Sequence, residues 1–425
     1  MASGPLDGVR VLELCQIIAG PLGGQFLADL GAEVIKVEPP EGEPWRANAP
    51  MRPFESKAYQ ELNRGKRSLA IDLAKPEGRD AVHRLVQAVD VVVINYRPDV
   101  AARLRIDYET LAALRPDLVY VDVTAFGREG DLADQPGYDI VVQAVSGLLA
   151  STGKVNAQGV PIVTPPAIAD VTTGYAIAVG VCAALFHRAM TGRGQRVETS
   201  LLVNALTVQS GGSWSFSSVP AADAELWAKL ADLNERARGG GMSYAELLAA
   251  RDAAARPGGN IYYRCFLTSN GAIAIGALSA SLRDKVRKVL GVEHKRDAPG
   301  YDPWSPEQQA ADRELVQHVE EKIRARPSEY WELTFSAGGV PVSRINFVQE
   351  VIDHPQVLAN DYVVDLEHEV TGPQHLAAPP WKMSLTPPQP QGASPTLGRD
   401  TDAILASLGY GPEEIESLRA SGVIR

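Results

Sequence analysis

The chain has 425 residues, 45% of them hydrophobic, and carries 41 basic against 52 acidic side chains, a net charge of -11. That length suits two or three domains of about 100–200 residues with a large buried core. The acidic balance argues against nucleic acid or an anionic membrane as partner, so an anionic ligand needs a local basic pocket.

The opening predicts a strand over 9–14, a glycine-containing loop over 18–24, a helix over 25–30, a turn at Gly31 and a strand over 33–38. This is a βαβ unit. Its glycines do not follow the G-x-G-x-x-G spacing that lets a pyrophosphate approach the backbone, which sets a nicotinamide or flavin cofactor aside. Strand-like runs at 68–73, 89–95 and 118–124 alternate with helical patterns at 77–88 and 108–114, the signature of a mostly parallel sheet covered by helices. The fold class read from this is α/β, with a Rossmann-like doubly wound large domain. A helix over 170–188 and a strand over 195–200 follow, and then an Ala-, Glu- and Arg-rich stretch from 221 to 255 marks a change of domain. Strands at 262–267 and 272–277 around Ser269-Asn270-Gly271, with helices flanking the charged stretch 305–324, read as a smaller α+β domain. The boundaries are then 1–225 for the first part of the large domain, 226–325 for the small one and 326–425 for the return. The last hundred residues hold a proline-rich stretch from 379 to 395 and helices from about 400 and after Gly411; such extended tails usually wrap a surface.

Cys15, Cys182 and Cys265 have no metal-type spacing and sit in or beside apolar runs, the pattern of thiols in a reducing compartment. With no leader-like opening and no run of about 18 apolar residues, the expectation is a soluble cytoplasmic protein. No metal-binding histidine pair, nucleophilic serine motif or Walker loop is present, and His354 reads as a turn residue.

Asp170 stands out at the start of a small-residue helix. Its bland reading is a helix cap. The same place suits covalent chemistry, because a helix N-terminus favours an ionised carboxylate and stabilises charge on an attached acyl oxygen. Lys36, Arg64, Lys66, Arg67, Lys75, Arg97, Arg103 and Arg105 crowd the first 105 residues of an acidic chain; they either clothe a phosphate-bearing ligand or form a solvated surface.

Taken together, several passages resemble the class III CoA-transferase family, which includes formyl-CoA transferase, carnitine CoA-transferase and 2-methylacyl-CoA racemases. They are G-V-R-V-L-E-L at 8–14, A-G-P at 19–21, L-G-A-E-V-I-K-V-E at 30–38, N-R-G-K-R-S at 63–68, N-Y-R-P at 95–98, G-Y-D at 137–139, Asp170 with Thr173-Gly174, T-G-R-G-Q at 191–195, G-V-P at 339–341 and H-P-Q-V at 354–357. The resemblance runs nearly end to end. It implies a dimer of two chains threaded through each other like linked rings, as a homodimer or with a homologous chain. It also implies acyl-CoA and a small carboxylic acid as substrates, with coenzyme A as substrate rather than as a permanently bound cofactor. Asp170 becomes the nucleophile, Tyr138 an active-site lining residue, and Gly258 and Gly259 a loop shielding the intermediate, with 239–241 as a competing glycine run. Asn95, Tyr96, Arg103, Leu104 and Lys75 become CoA contacts. The family's glutamine before A-G-P is Ile18 here, and an arginine that packs on adenine is replaced by Pro39. Two other readings stay open. A racemase needs a histidine at the position of Tyr138, for which a phenol with a pKa near about 10 is a poor substitute; a non-catalytic subunit would not need Asp170.

Overall fold

The computed structural model describes residues 4–163, 166–209, 221–255 and 259–425. They form two compact units. The larger comprises Met1–Lys154, Pro161–Trp214 and Pro355–Arg425; the smaller comprises Val155–Val160 and Ser215–His354.

In chain order the large unit contributes β1 (Arg10–Leu14), α1 (Ala19–Asp29), β2 (Glu33–Glu38), β3 (Arg67–Ala70), α2 (Pro76–Val86), β4 (Val91–Ile94), α3 (Pro98–Arg103), α4 (Tyr108–Leu114), β5 (Val119–Thr124), α5 (Asp139–Val145), α6 (Ile168–Thr191), β6 (Gln195–Ser200) and α7 (Leu201–Thr207). The small unit supplies α8 (Ala221–Arg238), α9 (Tyr244–Ala255), β7 (Tyr263–Leu267), β8 (Ala272–Gly276), α10 (Ala280–Leu290), α11 (Pro306–Arg324), α12 (Ser328–Ala337) and β9 (Val342–Arg344). The return adds the hairpin β10 (Val363–His368) and β11 (Gly372–Ala377), then α13 (Thr401–Ser407) and α14 (Pro412–Ala420).

The main sheet of the large unit has six strands, all parallel, in the order β3-β2-β1-β4-β5-β6. Apolar residues alternate across the sheet. Val11, Val34, Val91, Val93, Val119 and Val121 face Leu27 and Ala28 of α1 and Ile177, Val181 and Ala184 of α6. Leu12, Leu14, Ile35, Val92, Ile94 and Tyr120 face α2, α3 and α4, together with Ile404 and Leu405 of α13 and Ile415 of α14. Both sheet faces are covered, as parallel sheets require.

The expected loop over 18–24 is helix instead. Pro21 falls in its first turn, where a missing amide costs nothing, and the glycines are close-packing sites. A Cβ added at Gly23 would stand 2.7 Å from Ile177, and one at Gly174 2.9 Å from Leu22, so α1 and α6 meet with side chains deleted at the crossing. A Cβ at Gly24 would overlap the carboxylate of Glu13, which is fully buried between Lys36 at 3.0 Å and Lys66 at 2.7 Å. Gly24→Ala is therefore expected to lower stability by about 3 kcal/mol in urea denaturation, because Glu13 can move only by leaving a buried ion pair.

Helix α6 also corrects the sequence reading. At 24 residues it is long and apolar enough, by length and composition, to cross a membrane, although no such run was expected. Its buried residues Ile177, Val181 and Ala184 close onto the sheet and α1.

The small unit pairs β7, β8 and β9 as an antiparallel sheet over a core of Phe266, Ile273, Ile275, Val286, Val319, Ile323, Trp331 and Phe335. The charged stretch from 306 to 324 is itself the helix α11, which was expected only beside it. Trp331 and Phe335 belong to this core, and the unit runs on to His354. The proline-rich return packs on its own chain: Gln389 N donates to Asp29 O, Arg46 to Pro395 O and Ser68 N to Asp400 Oδ2.

Candidate active site

In a sheet of this order the strand sequence reverses between β1 and β4, which opens a crevice at their carboxyl ends, where ligands of doubly wound sheets bind. Asn95 follows β4 and Gln16 follows β1 at that point. Asn95 Nδ2 donates to Gln16 O at 2.9 Å, and Gln16 N donates to Asn95 Oδ1 at 3.1 Å. A Cβ at Gly20, in the first turn of α1, would lie 3.6 Å from Asn95 Nδ2. Its neighbour Ala19 packs with Ala169, Val142, Leu201 and Ala205 in one apolar cluster. The start of α1 thus has Asn95 on one side and the start of α6 on the other.

Asp170 lies in the first turn of α6, after the N-cap Ala167. It is not the cap. Asp139, the first residue of α5, satisfies the free amides of α6 instead. Its Oδ1 accepts from Ala169 N at 2.9 Å and from Asp170 N at 3.3 Å, while Gln143 donates to its Oδ2. Asp170 is 8% exposed, and among the described residues nothing donates a hydrogen bond to its carboxylate. Burial pushes this carboxyl up to about 7, and the nearby Asp139 charge raises it further toward that value. The expectation that the helix terminus holds Asp170 ionised is overturned, because the amides that would stabilise the charge are occupied by Asp139. Asp139 was quoted in the sequence only as part of G-Y-D. Its spacing of four to Gln143, on a short helix, was the available signal.

The structure places the other predicted residues unequally. Tyr138 is the N-cap of α5, next to Asp139 in the chain and 61% exposed. Tyr96 is half-buried against the sheet core, and burial pushes its phenol up to about 12. Leu104 packs at the end of α3 against the same core, and Arg103 is exposed beside it. Lys75 has a structural partner, donating at 2.7 Å to Ser421 O at the end of α14. Gly258 lies outside the described residues. Gly259, at φ +92°, presses its Cα on Asp312 so closely that a Cβ would overlap that side chain. Asp312 is itself held by His294, Tyr301 and Gln308.

The basic cluster is mostly not an anion patch. Lys36 pairs with Glu13 and with Glu43 at 2.9 Å, Arg64 with Asp29 at 2.6 Å, Arg67 with Glu33 and Arg97 with Asp99 at 2.8 Å. Lys36, Arg64 and Lys66 are buried within the large unit, so their charges are committed internally.

Comparison with known proteins agrees with this frame. The pattern of CoA-transferase family III matches residues 6–224 and 234–401. The chain is 34% identical to succinate–glutarate CoA-transferase of Agrobacterium fabrum, over 95% of this chain and 96% of that one. It is 30% identical to human succinyl-CoA:glutarate CoA-transferase, over 99% and 90% respectively. Among solved structures, a CaiB/BaiF family protein from Brucella suis superposes with a TM-score of 0.72 at 29% identity, covering 96% of this chain and all of the other. A match of such length and continuity leaves one assignment: the chain belongs to CoA-transferase family III.

Proposed function

We propose that this enzyme moves coenzyme A from succinyl-CoA to a small carboxylic acid through covalent intermediates on Asp170. The observation that carries the reading is a buried carboxylate to which nothing among the described residues donates a hydrogen bond, at the start of α1 opposite Asn95. Such a group is poorly solvated, and a carboxylate raised to about 7 is a stronger nucleophile than an ordinary one while still half ionised at neutral pH.

In the first step the Asp170 carboxylate attacks the thioester carbonyl; the C–S bond breaks, leaving a mixed anhydride and CoA thiolate. The thiolate attacks the aspartyl carbonyl, the anhydride C–O bond breaks, and the donor acid leaves as its carboxylate. The acceptor carboxylate then attacks the aspartyl-CoA thioester, and the released thiolate takes the new acyl group, regenerating Asp170. Each addition develops an oxyanion, and one fixed donor for such a charge contributes about 3 kcal/mol. Tyr138 is assigned the lining of the site, and Asn95, Tyr96, Arg103, Leu104 and Lys75 the coenzyme contacts. Succinyl-CoA as donor is supported by the names of relatives that use it, including succinyl-CoA:mesaconate CoA-transferase of Haloarcula hispanica at 30% identity.

An interlocked homodimer belongs to the same proposal. Val179, Phe186 and Met190 recur at helical spacing on one side of α6 and are 66%, 70% and 72% exposed, an apolar stripe suited to a second copy.

The decisive experiment incubates the protein with a panel of acyl-CoAs and free acids and identifies new thioesters by mass spectrometry. A hydroxylamine-sensitive adduct on the peptide containing Asp170 is the expected result. Exchange without any adduct at that peptide would remove the covalent mechanism.

A further inference from the structure

Ile17 has φ +73°, a left-handed conformation that a β-branched side chain resists. Such strain persists only where the surroundings impose it. Here the backbone of three consecutive residues is pinned by side chains from different elements. Lys36 of β2 donates to Cys15 O at 2.9 Å, Asn95 after β4 brackets both polar groups of Gln16, and Glu43 Oε2 accepts from Ile17 N at 2.7 Å. Glu43 is 3% exposed, and its other oxygen meets Lys36 at 2.9 Å. Its own turn is anchored in turn, since Arg46 forks onto Glu38 at 2.6 and 2.9 Å.

We infer that Glu43 is a positioning residue: seated on Lys36, it holds the Ile17 backbone in its strained conformation and so fixes the loop from 16 to 18 at the crevice between β1 and β4. This deepens the acyl-CoA reading, since that loop borders the site where the thioester is placed. Glu43 touches neither reacting atom nor substrate. Its contribution passes through the shape of the loop, with Ile17 and Ile18 half-buried at its tip. The buried charges of Lys36 and Glu43, the first of which offered itself in the sequence as part of an anion patch, therefore act on backbone instead.

The test combines Glu43→Ala, Glu43→Gln and Ile17→Gly. In the ligand-free protein, Glu43→Ala is expected to speed hydrogen exchange of the Ile17 amide, whereas Glu43→Gln, which keeps an oxygen there, leaves it protected. In CoA exchange, Glu43→Ala is expected to lower kcat/KM on the order of tenfold, the factor that about 1.4 kcal/mol of strain represents. Adding Ile17→Gly should restore most of that loss, because glycine takes the left-handed conformation without a clamp. Equal losses in the Ile17 and Ile17→Gly backgrounds would overturn the inference, as would a Glu43→Gln variant as impaired as Glu43→Ala. If the unsubstituted enzyme transfers CoA from none of the acyl-CoAs offered, the proposed function fails, and the hydrogen-exchange comparison still decides the clamp.

Discussion

Asp170→Ala is expected to abolish CoA exchange and, at the same time, to make the protein harder to unfold at pH 8. Removing a covalent nucleophile costs roughly 10^4-fold or more in kcat, and Asp170→Asn should be as inactive because an amide cannot form the anhydride. The stability gain follows from linkage. Burial raises this carboxyl from its ordinary range to about 7, so between pH about 4 and 7 the folded chain retains a proton that the unfolded chain has lost. Folding stability then declines as pH rises through that window, by roughly 4 kcal/mol in total, and the full cost is present above it. Truncation to alanine removes the charge and with it the cost. Thermal melting at pH 4 and pH 8 checks this: the variant should gain several degrees at pH 8 and little at pH 4. An equal shift at both would mean that the charge is not what destabilises the site.

The second large effect belongs to Asp139. In the wild type, kcat/KM should fall as pH drops below about 7, as Asp170 takes up its proton. Asp139→Asn removes the neighbouring charge but keeps an oxygen for the α6 amides. The acid limb should therefore move to lower pH, yet remain above the range of an exposed aspartate because burial is the larger cause. Asp139→Ala also deprives Ala169 N and Asp170 N of their acceptor; it should lower stability by about 1–2 kcal/mol and kcat on the order of 10^2-fold through misplacement of the nucleophile. A pH profile with an unmoved limb in Asp139→Asn would show that the two carboxylates do not interact.

The parallel sheet was legible because its strands are nearly unbroken apolar runs, as at Val91–Ile94 and Val119–Thr124. Helix α4 was read to the residue, since Asp107 caps it and its apolar spacing is regular. The first half of helix α1 was hidden by Gly20, Pro21, Gly23 and Gly24, which locally signal a loop; the reason for them is Ile177, more than 150 positions away in the chain, and Glu13 under the helix. The site was legible in part. Asp170 stood out in the sequence, but its environment depends on Asp139, thirty-one residues upstream, and on an apolar cluster assembled from α1, α5, α6 and α7. Similarly, Lys36, Arg64 and Lys66 looked like candidate phosphate ligands because their partners Glu13, Glu43 and Asp29 cannot be matched to them by spacing alone.

One face of the central sheet is finished by Ile404, Leu405 and Ile415, and Ile71 bridges to Ile424, while the first five strands of that sheet are complete by residue 124. During synthesis the apolar side of β1–β5 must therefore wait for nearly three hundred further residues, roughly 15–60 s at ribosomal speeds of about 5–20 residues per second. The small unit is translated within that interval and has a core of its own, so it can fold before the sheet that preceded it out of the ribosome. The large unit is thus exposed to misassembly for longer than any other part of the chain, and a stop introduced before α13 should yield an insoluble product rather than a truncated enzyme.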